Sequence, residues 1–425
     1  MYNKVGKFAR RVFIAGVGCT AFGNTLENPE TVGTTEGDLI AEAVAEAMDD
    51  CGIYGPEIQA FYKGQVLSDP TSDLVTPASP FGKWIGMNGK QSVSNDEGCA
   101  TGYITLDLAC TDIASGKHDI VLAVGVEMAQ SKPIPDVSGA FRQPIGDTAM
   151  RIGPMIEDRA YTRWFGGRVG MDAYPSQYRK RYGLSAEEMD KTLNCLIANS
   201  RKNAAGNPRA IYKETMEATA KKAGYDDVEK FLKSVFNPKL SEYIRKYGME
   251  ARTEGAAAAI VVSEEIAEKL KEKGVKVIEV LCCTAATAEI STPNIEEVVT
   301  KEVLEEAYAI TGLSGKDIDL LMTNDFRIPS QLLTMELAGY VPEGEGWKII
   351  CEGETTYDGK YPVNVNGGRC HFGHAYGASG LADIYEAVKQ MRGESEGNQM
   401  AKLPETVLIR GFGGGQNATA AIFKA

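Results

Sequence analysis

Two short segments hold the side chains of this chain that are best suited to chemistry. Cys99 lies in residues 98–102, which read GCATG, and His374 lies in residues 373–380, which read GHAYGASG. Each stands among small residues directly before a helix-like run, and the positive end of a helix dipole favours a thiolate. Glycine neighbours let a substrate or a second backbone come close. The pairing of Cys99 with His374 therefore predicts acyl transfer through a thioester.

Composition narrows the range of partners. The 425 residues are 43% apolar and 24% charged, which is typical of a globular protein with room for more than one domain. A formal net charge of −13 argues against a nucleic-acid partner. No apolar run approaches the roughly 18 residues of a membrane span, and the short run Val12–Cys19 predicts a first buried strand. We therefore expect a cytoplasmic protein without nucleic-acid or membrane partners.

The cysteines and histidines do not have metal-site spacing. Nine cysteines are spread along the chain with no C-x-x-C, and the only close pair is Cys282 and Cys283. We read them as reduced thiols, mostly small core residues, and predict no metal centre. Of the three histidines, His118 stands in a turn before a strand and should be exposed. A catalytic histidine must then be His371 or His374.

The chain repeats itself at an offset of 260 positions. Residues 38–65 and 298–325 align so that Glu42 falls on Glu302 and Gly52 falls on Gly312. Each copy reads as an amphipathic helix, a glycine stop and an apolar strand. Strands at 120–125 and 406–410 follow the helices that Cys99 and His374 open, and the apolar run 256–262 predicts a strand covered on both faces. We expect a duplicated α/β fold with right-handed crossovers.

The repeat also predicts the domain organisation. Residues 127–250 have no counterpart in the second half and are interpreted as an inserted loop domain. The first half then comprises residues 1–126 plus 251–270, and the second half comprises residues 271–425.

This duplicated pattern resembles the thiolase superfamily, most closely its sterol-carrier-protein branch, over nearly the whole chain. Residues 98–102 are similar to the family's acylated-cysteine segment. Residues 364–368 (NVNGG) and 373–380 are similar to the stretch that carries its active-site histidine. Three further segments look like family motifs: NSRKNAAGNPRA at 199–210, EGAAA at 254–258 and GGGQ at 413–416.

The resemblance implies a thiolase fold, with two α/β halves that each contain a mixed five-stranded sheet, and it implies a mechanism. Cys99 would attack the carbonyl of a 3-oxoacyl-CoA, and His374 would accept the Cys99 proton and help to hold an enolate oxygen. The backbone N–H groups of Cys99 and Gly413 would form an oxyanion hole, with each donor worth roughly 3 kcal/mol. Coenzyme A is then a substrate, and no permanently bound cofactor is expected.

The chain departs from the family at the second cysteine, which normally acts as acid/base. One branch places it where Gly411 stands here, and the sterol-carrier branch places it within the segment that reads Asn324-Asp325-Phe326-Arg327 here. Asn324 matches an asparagine that holds a water on the enolate side in other relatives. Cys370 and His371 are the replacement candidates; Tyr357 and Tyr376 rank lower, since a phenol of pKa about 10 needs strong perturbation to act near neutrality.

Arg327 replaces an apolar residue in a motif that borders the acyl pocket. Burial of a guanidinium is costly unless it meets an anion, and a substrate carboxylate would be one. An Arg327 turned towards Asp325 or solvent is the alternative. The first reading favours a bulky, carboxylate-bearing 3-oxoacyl-CoA, such as benzoylsuccinyl-CoA cleaved to benzoyl-CoA and succinyl-CoA.

The resemblance leaves two other functions open and implies partners. Relatives that act as retro-aldolases in steroid side-chain degradation also lose the second cysteine, although they typically lack the nucleophile that Cys99 provides here. A non-catalytic scaffold is the third reading, against which Cys99, His374 and Asn324 argue together. Family members are dimers or dimers of dimers through their first halves, so a homodimer is expected. Several relatives work with a small zinc-ribbon/OB-fold subunit, and such a partner is expected as well.

Overall fold

The computed structural model describes residues 7–25, 33–66, 76–128, 168–288, 294–413 and 417–425. The strands are β1 Val12–Cys19, β2 Ala60–Gly64, β3 Gln91–Asn95, β4 Ile120–Glu127, β5 Gly255–Ser263, β6 Ile278–Thr287, β7 Leu320–Thr323, β8 Thr406–Gly413 and β9 Asn417–Lys424. The α-helices are α1 Glu36–Cys51, α2 Thr101–Ala114, α3 Arg168–Tyr182, α4 Ala186–Ala205, α5 Met216–Lys222, α6 Val228–Leu232, α7 Glu264–Glu272, α8 Ile295–Thr311, α9 Pro329–Leu337, α10 Gly346–Cys351, α11 Gly368–His371 and α12 Tyr376–Arg392. Short 3₁₀ turns lie at Ser79–Lys83, Lys246–Gly248 and Gly315–Asp317.

The strands form one mixed sheet in the order β3-β2-β4-β5-β1-β6-β9-β8-β7. The order β2-β4-β5-β1 of the first half recurs in the second half as β7-β8-β9-β6, which confirms the duplication. The halves join where β1 pairs with β6 through Val12, Phe13 and Ile14. The described part of the first half has the expected five strands. The described part of the second half has four, and an isolated bridge between Leu321 and Val363 stands where the fifth would lie.

The two aligned helices end in the same way, which explains why the same helix and glycine pattern occurs in both copies of the repeat. Helix α1 stops at Gly52 with φ 70°, and α8 stops at Gly312 with φ 72°. Both residues adopt the left-handed conformation that glycine takes without a Cβ penalty. An amphipathic helix and its glycine stop were therefore enough to predict these elements.

Alternate strand residues face two different layers, as the apolar run predicted. Ala257, Ala259 and Val261 of β5 share one core cluster with helices α2 and α12. Ala258 and Ile260 belong to the cluster beneath α1. The cluster around α2 and α12 also contains strand residues from the second half, so these two helices lie between the halves.

The inserted segment is described from residue 168 onwards, where α3 to α6 pack against α8, α9 and α10 in the second half's outer core.

The domain boundaries predicted above stay a prediction. Residues 414–416 of the predicted glycine loop lie outside the described residues. Among the helices described, none is both long and apolar enough to cross a membrane.

Candidate active site

The two reactive segments meet through their glycines. A β carbon placed on Gly102 of α2 would lie 2.9 Å from the Gly377 carbonyl oxygen and 3.0 Å from the Gly380 α carbon, both in α12. A β carbon at Gly125 would lie 2.3 Å from the same Gly377 oxygen. Side chains at these positions would force the helices apart, so the first turns of α2 and α12 can touch only because glycine stands there. The sequence prediction that the glycines admit a second backbone is confirmed.

Cys99 stands in a turn just before α2, which has Ala100 as its N-cap residue. Gly98 precedes it with φ 57°, a left-handed conformation that turns the chain. Gly413, at the end of β8, lies against this turn: a β carbon there would be 2.3 Å from the Glu97 carbonyl oxygen and 2.6 Å from the Ala100 nitrogen. The backbones of Cys99 and Gly413, predicted to form an oxyanion hole, are thus brought together.

The charges and the burial around Cys99 oppose the thiolate that the helix dipole favours. Burial, followed by the negative charges of Glu250 and Glu127, raises the pKa of the Cys99 thiol far above its usual range, and Arg369 only partly opposes this shift. Desolvation and two carboxylates therefore outweigh the helix dipole. Cys99 is a thiol at neutral pH and needs a base to attack a carbonyl.

His374 has the properties of that base. Its Nδ1 lies 2.9 Å from the Ser379 Oγ. Its Nε2 lies 3.5 Å from a carboxylate oxygen of Glu250. Burial, with the positive charges of Arg369 and Arg252, lowers the His374 pKa well below its usual value, so the ring is neutral at neutral pH. A neutral ring that donates Nδ1–H to Ser379 leaves Nε2 able to accept a proton.

Shared charged neighbours place Cys99 and His374 in one site. The charges of Glu250 and Arg369 shift the pKa values of both Cys99 and Cys370, and the charge of Arg369 also shifts the pKa of His374. Cys370 is buried, and its Sγ donates to the Asp325 carbonyl oxygen at 3.0 Å. Cys370 therefore shares two charged neighbours with Cys99, and burial and then Asp325 raise its pKa well above the usual value.

His371 and Asn324 are placed differently. The buried His371 ring faces Tyr212 and the Arg201 guanidinium, and burial followed by Arg201 lowers its pKa well below the usual range. Asn324 is fully buried; its Nδ2 donates to the Phe412 carbonyl at 2.8 Å and its Oδ1 accepts from the Phe326 amide at 3.1 Å. The Asn324 side chain thus fastens residues 324–326 to β8.

The premise for Arg327 as a substrate-carboxylate ligand was wrong. The Arg327 guanidinium is buried and donates to Glu296 Oε2 at 2.5 Å, and Glu296 Oε1 lies 3.1 Å from Arg410. Although burial opposes it, the charges of Arg327 and Arg410 hold the pKa of Glu296 below its usual range. The anion that satisfies Arg327 is internal and comes from α8, a partner that the local sequence could not reveal.

Sequence reasoning missed the ion pair that holds the site elements together. Arg369 donates to both carboxylate oxygens of Asp383, at 2.9 and 2.6 Å, and also to the Tyr103 hydroxyl at 2.6 Å. Tyr103 in turn donates to Asp383 at 2.5 Å. These side chains come from α2, α11 and α12, and a bidentate buried pair fixes their relative positions. The only sequence signal was charged residues inside apolar, glycine-rich motifs.

Sequence reasoning also missed Glu250. Residues 249–253 run between the other site segments. The Glu250 amide donates to the Phe326 carbonyl, and the Ala251 amide donates to the Arg369 carbonyl. The His374 amide donates to the Ala251 carbonyl.

In the described parts of the chain no group of three or more His, Cys, Asp and Glu side chains could hold a metal ion.

Comparison with known families decides what this site belongs to. Residues 12–265 match the family described as "Thiolase, N-terminal domain", and residues 285–425 match "Thiolase C-terminal domain-like". The chain belongs to the thiolase family.

Individual thiolase relatives are distant. The chain is 28% identical to the benzoylsuccinyl-CoA thiolase subunit BbsB of Thauera aromatica, over 97% of each protein. It is 27% identical to sterol carrier protein 2 of Bos taurus, over 92% of this chain and 68% of the relative.

Solved structures confirm the thiolase fold. A human mitochondrial 3-ketoacyl-CoA thiolase in complex with CoA has a TM-score of 0.68 at 17% identity, with 99% of each chain covered. An Ltp2-ChsH2(DUF35) aldolase has a TM-score of 0.72 at 20% identity, with 98% of each chain covered.

Proposed function

We propose that this thiolase-family protein is an acyl-CoA C-acyltransferase that works through an acyl group bound to Cys99. The observation that carries the proposal is that three distant segments lie together: Gly102, after Cys99, lies against Gly377, after His374, and Gly413 lies against the Cys99 turn. A partly exposed thiol, a neutral histidine and converging backbone amides are the parts that a thioester-forming enzyme needs. Membership of the thiolase family supports the same reaction class.

In this mechanism His374 Nε2 takes the Cys99 proton, and the sulfur attacks the 3-oxo carbonyl of the bound 3-oxoacyl-CoA. The backbone amides of Cys99 and Gly413 stabilise the negative oxygen that forms. The bond between C2 and C3 then breaks, which leaves an acyl group on Cys99 and an enolate on the departing acyl-CoA. Attack by a second CoA thiol releases the acyl group. Asn324 holds the segment 324–326 at the edge of this site.

For the substrate we propose a bulky 3-oxoacyl-CoA such as benzoylsuccinyl-CoA. The support is the likeness to the benzoylsuccinyl-CoA thiolase subunit, which spans almost the full length of both chains. Arg327 no longer contributes to this choice, because Glu296 satisfies it.

We also propose a homodimer and a small zinc-ribbon/OB-fold partner subunit. Strand β3 is a half-exposed edge of the sheet, and exposed edges favour pairing with another strand. The partner subunit is supported by the names of two relatives: one is called a subunit, and the aldolase structure contains a second component, ChsH2.

Intact-protein mass spectrometry tests the proposal. The wild type, incubated with benzoyl-CoA or succinyl-CoA with and without its partner subunit, should gain the mass of one acyl group, which peptide mapping should place on Cys99. Cys99→Ala should gain none and should lose acyl transfer. Acyl transfer by Cys99→Ala at the wild-type rate would refute the covalent mechanism.

A retro-aldolase is the second candidate, favoured by the aldolase structure and by the absence of both usual second cysteines. It predicts carbon–carbon cleavage of a 3-hydroxyacyl-CoA that survives in Cys99→Ala. A non-catalytic scaffold predicts neither reaction in the presence of the partner subunit.

A further inference from the structure

We propose that Glu250 is the second acid/base of this enzyme, the group that protonates the departing acyl-CoA and then deprotonates the incoming CoA thiol. This assignment rests on the proposed acyl transfer and names a residue that neither the sequence motifs nor the family resemblance marks. Two carboxylates are charged neighbours of Cys99 in the described part of the site, Glu250 and Glu127.

Glu127 is committed to the fold. Its Oε2 accepts hydrogen bonds from the Val66 amide at 3.1 Å and the Gly377 amide at 3.2 Å. The second of these lies in the first turn of α12, where a carboxylate stabilises the exposed amides of the helix start. Protonation of Glu127 would weaken both contacts, so this carboxylate holds α12 in place.

Glu250 makes longer hydrogen bonds than Glu127, and its carboxylate lies next to His374. Its Oε2 lies 3.5 Å from His374 Nε2, the atom that accepts the Cys99 proton. Its Oε1 accepts from the Tyr376 hydroxyl and from Arg252 Nε, each at 3.4 Å. Only 13% of its side chain is exposed. Long contacts of this kind can shorten when substrate is bound, as catalytic hydrogen bonds often do.

The backbone gives Glu250 a fixed position even though its carboxylate makes long hydrogen bonds. Its amide donates to the Phe326 carbonyl at 2.9 Å, and the next residue, Ala251, is bonded to both Arg369 and His374. The carboxylate therefore enters the site from a segment that is tied to the walls on both sides. Burial raises the Glu250 pKa above its ordinary value, although Arg252 opposes the shift, which brings the carboxyl closer to the range useful for proton transfer.

The proton balance of the reaction closes with Glu250 in this role. The Glu250 carboxylate first receives, across the 3.5 Å from His374 Nε2, the proton that His374 took from Cys99. After the bond between C2 and C3 breaks, the Glu250 carboxylic acid gives this proton to C2 of the enolate, and the shorter acyl-CoA leaves. The Glu250 carboxylate then takes the proton of the incoming CoA thiol, and the CoA sulfur attacks the acyl carbon on Cys99. Cys99 departs as a thiolate and recovers its proton from Glu250 through His374. Every group returns to its starting state.

The test compares wild type, Glu250→Gln and Glu386→Gln. Gln keeps the shape of Glu250 but cannot carry the proton. Glu386 is the matched control: a buried carboxyl, ten residues along α12 from Tyr376, whose pKa is also raised, first by burial. It contacts Gln390, Ser395 and Asn207. Three rates are measured for each protein: acylation of Cys99 by acyl-CoA, deuterium uptake at C2 of the acyl-CoA in D₂O, and alkylation of Cys99 by iodoacetamide.

Glu250→Gln should reduce deuterium uptake and turnover by about 100-fold or more, the usual contribution of a general acid/base. It should still acylate Cys99, although more slowly than wild type, because the CoA sulfur can leave as a thiolate without a proton from Glu250. It should alkylate faster than wild type, because a negative charge near the thiol is gone. Glu386→Gln should behave as wild type. Normal deuterium uptake in Glu250→Gln overturns the assignment, and so does loss of acylation together with uptake. If wild type itself forms no Cys99 adduct, the proposed acyl transfer fails instead.

Discussion

The Ser379 Oγ lies 2.9 Å from Nδ1 of His374, five residues earlier in the chain. In the tautomer that donates Nδ1–H to this hydroxyl, Nε2 carries no proton and can accept one, so the contact would hold the ring ready to act as a base. Ser379→Ala should lower kcat by roughly 10-fold, part of the 10²–10⁴ that a general base contributes. His374→Ala should lose the full contribution. Equal activity of Ser379→Ala and wild type in a steady-state assay would show that Ser379 does not orient the base.

Cys99 should react slowly with alkylating agents at neutral pH. Burial and the charges of Glu250 and Glu127 raise its pKa, so the thiolate fraction is small at pH 7 and grows as the pH rises. The rate of iodoacetamide labelling should increase steadily up to pH 9 and beyond, without a plateau near neutrality. Peptide mapping identifies the labelled cysteine. A labelling rate that is already at its plateau at pH 7 would contradict the direction of the pKa shift.

Cys370 and His371 were the sequence-based candidates for the second acid/base, and they give a direct comparison with Glu250. The Cys370 thiol donates to the Asp325 carbonyl, and His371 faces Arg201 and Tyr212. We expect Cys370→Ser and His371→Gln to keep deuterium uptake at C2 within about 10-fold of wild type, well short of the 10²–10⁴ loss of an acid/base. A larger loss in either variant, with acylation intact, would return the role to that residue.

Replacement of Arg327 should affect stability rather than substrate choice. Arg327→Leu leaves the buried Glu296 with the charge of Arg410, at 3.1 Å, and the hydrogen bond of Ser330. We expect a loss of about 1–3 kcal/mol in the free energy of unfolding, below the roughly 3–5 kcal/mol of a wholly unpaired buried charge. The ratio of kcat/KM for carboxylate-bearing and plain acyl-CoA substrates should not change. Arg11→Leu, whose partners Glu264 and Glu279 share an exposed surface network, is the control and should lose less than about 1 kcal/mol.

Asp107 on α2 should make the protein less stable as the pH rises. Burial raises its pKa to about 6. The folded chain therefore binds more protons than the unfolded chain between pH 4 and 6, and stability falls across that window. Asp107→Asn should gain at most about 3 kcal/mol at pH 8 and nothing below pH 4, as read from urea midpoints.

Asp317 should make the protein more stable as the pH rises, the opposite of Asp107, because hydrogen bonds from Ser314 lower its pKa. The stability that it contributes is present above the unfolded pKa and disappears as the pH falls, so Asp317→Asn should lose stability at pH 8 and not at pH 3. A gain at pH 8 in both variants would contradict the linkage argument.

Local signals in the sequence were sufficient for the elements and for the position of the reactive pair. The apolar run at Val12–Cys19 became β1, and the glycines after α1 and α8 ended those helices as predicted. Small residues around Cys99 and His374 marked a close approach, which the contact of Gly102 with Gly377 confirms. Periodicity, helix stops and glycine conformation act within a few residues, so a single sequence reveals them.

Only the tertiary structure determined which charged groups lie next to each other and how they shift the pKa values of the site. Arg327 has its anion 31 residues earlier in the chain, and Glu250 lies 3.5 Å from His374 although 124 positions separate them. The protonation of Cys99 follows from desolvation and from carboxylates on β4 and on the segment before β5. Electrostatic energy depends on distance and burial in space, which sequence separation does not determine.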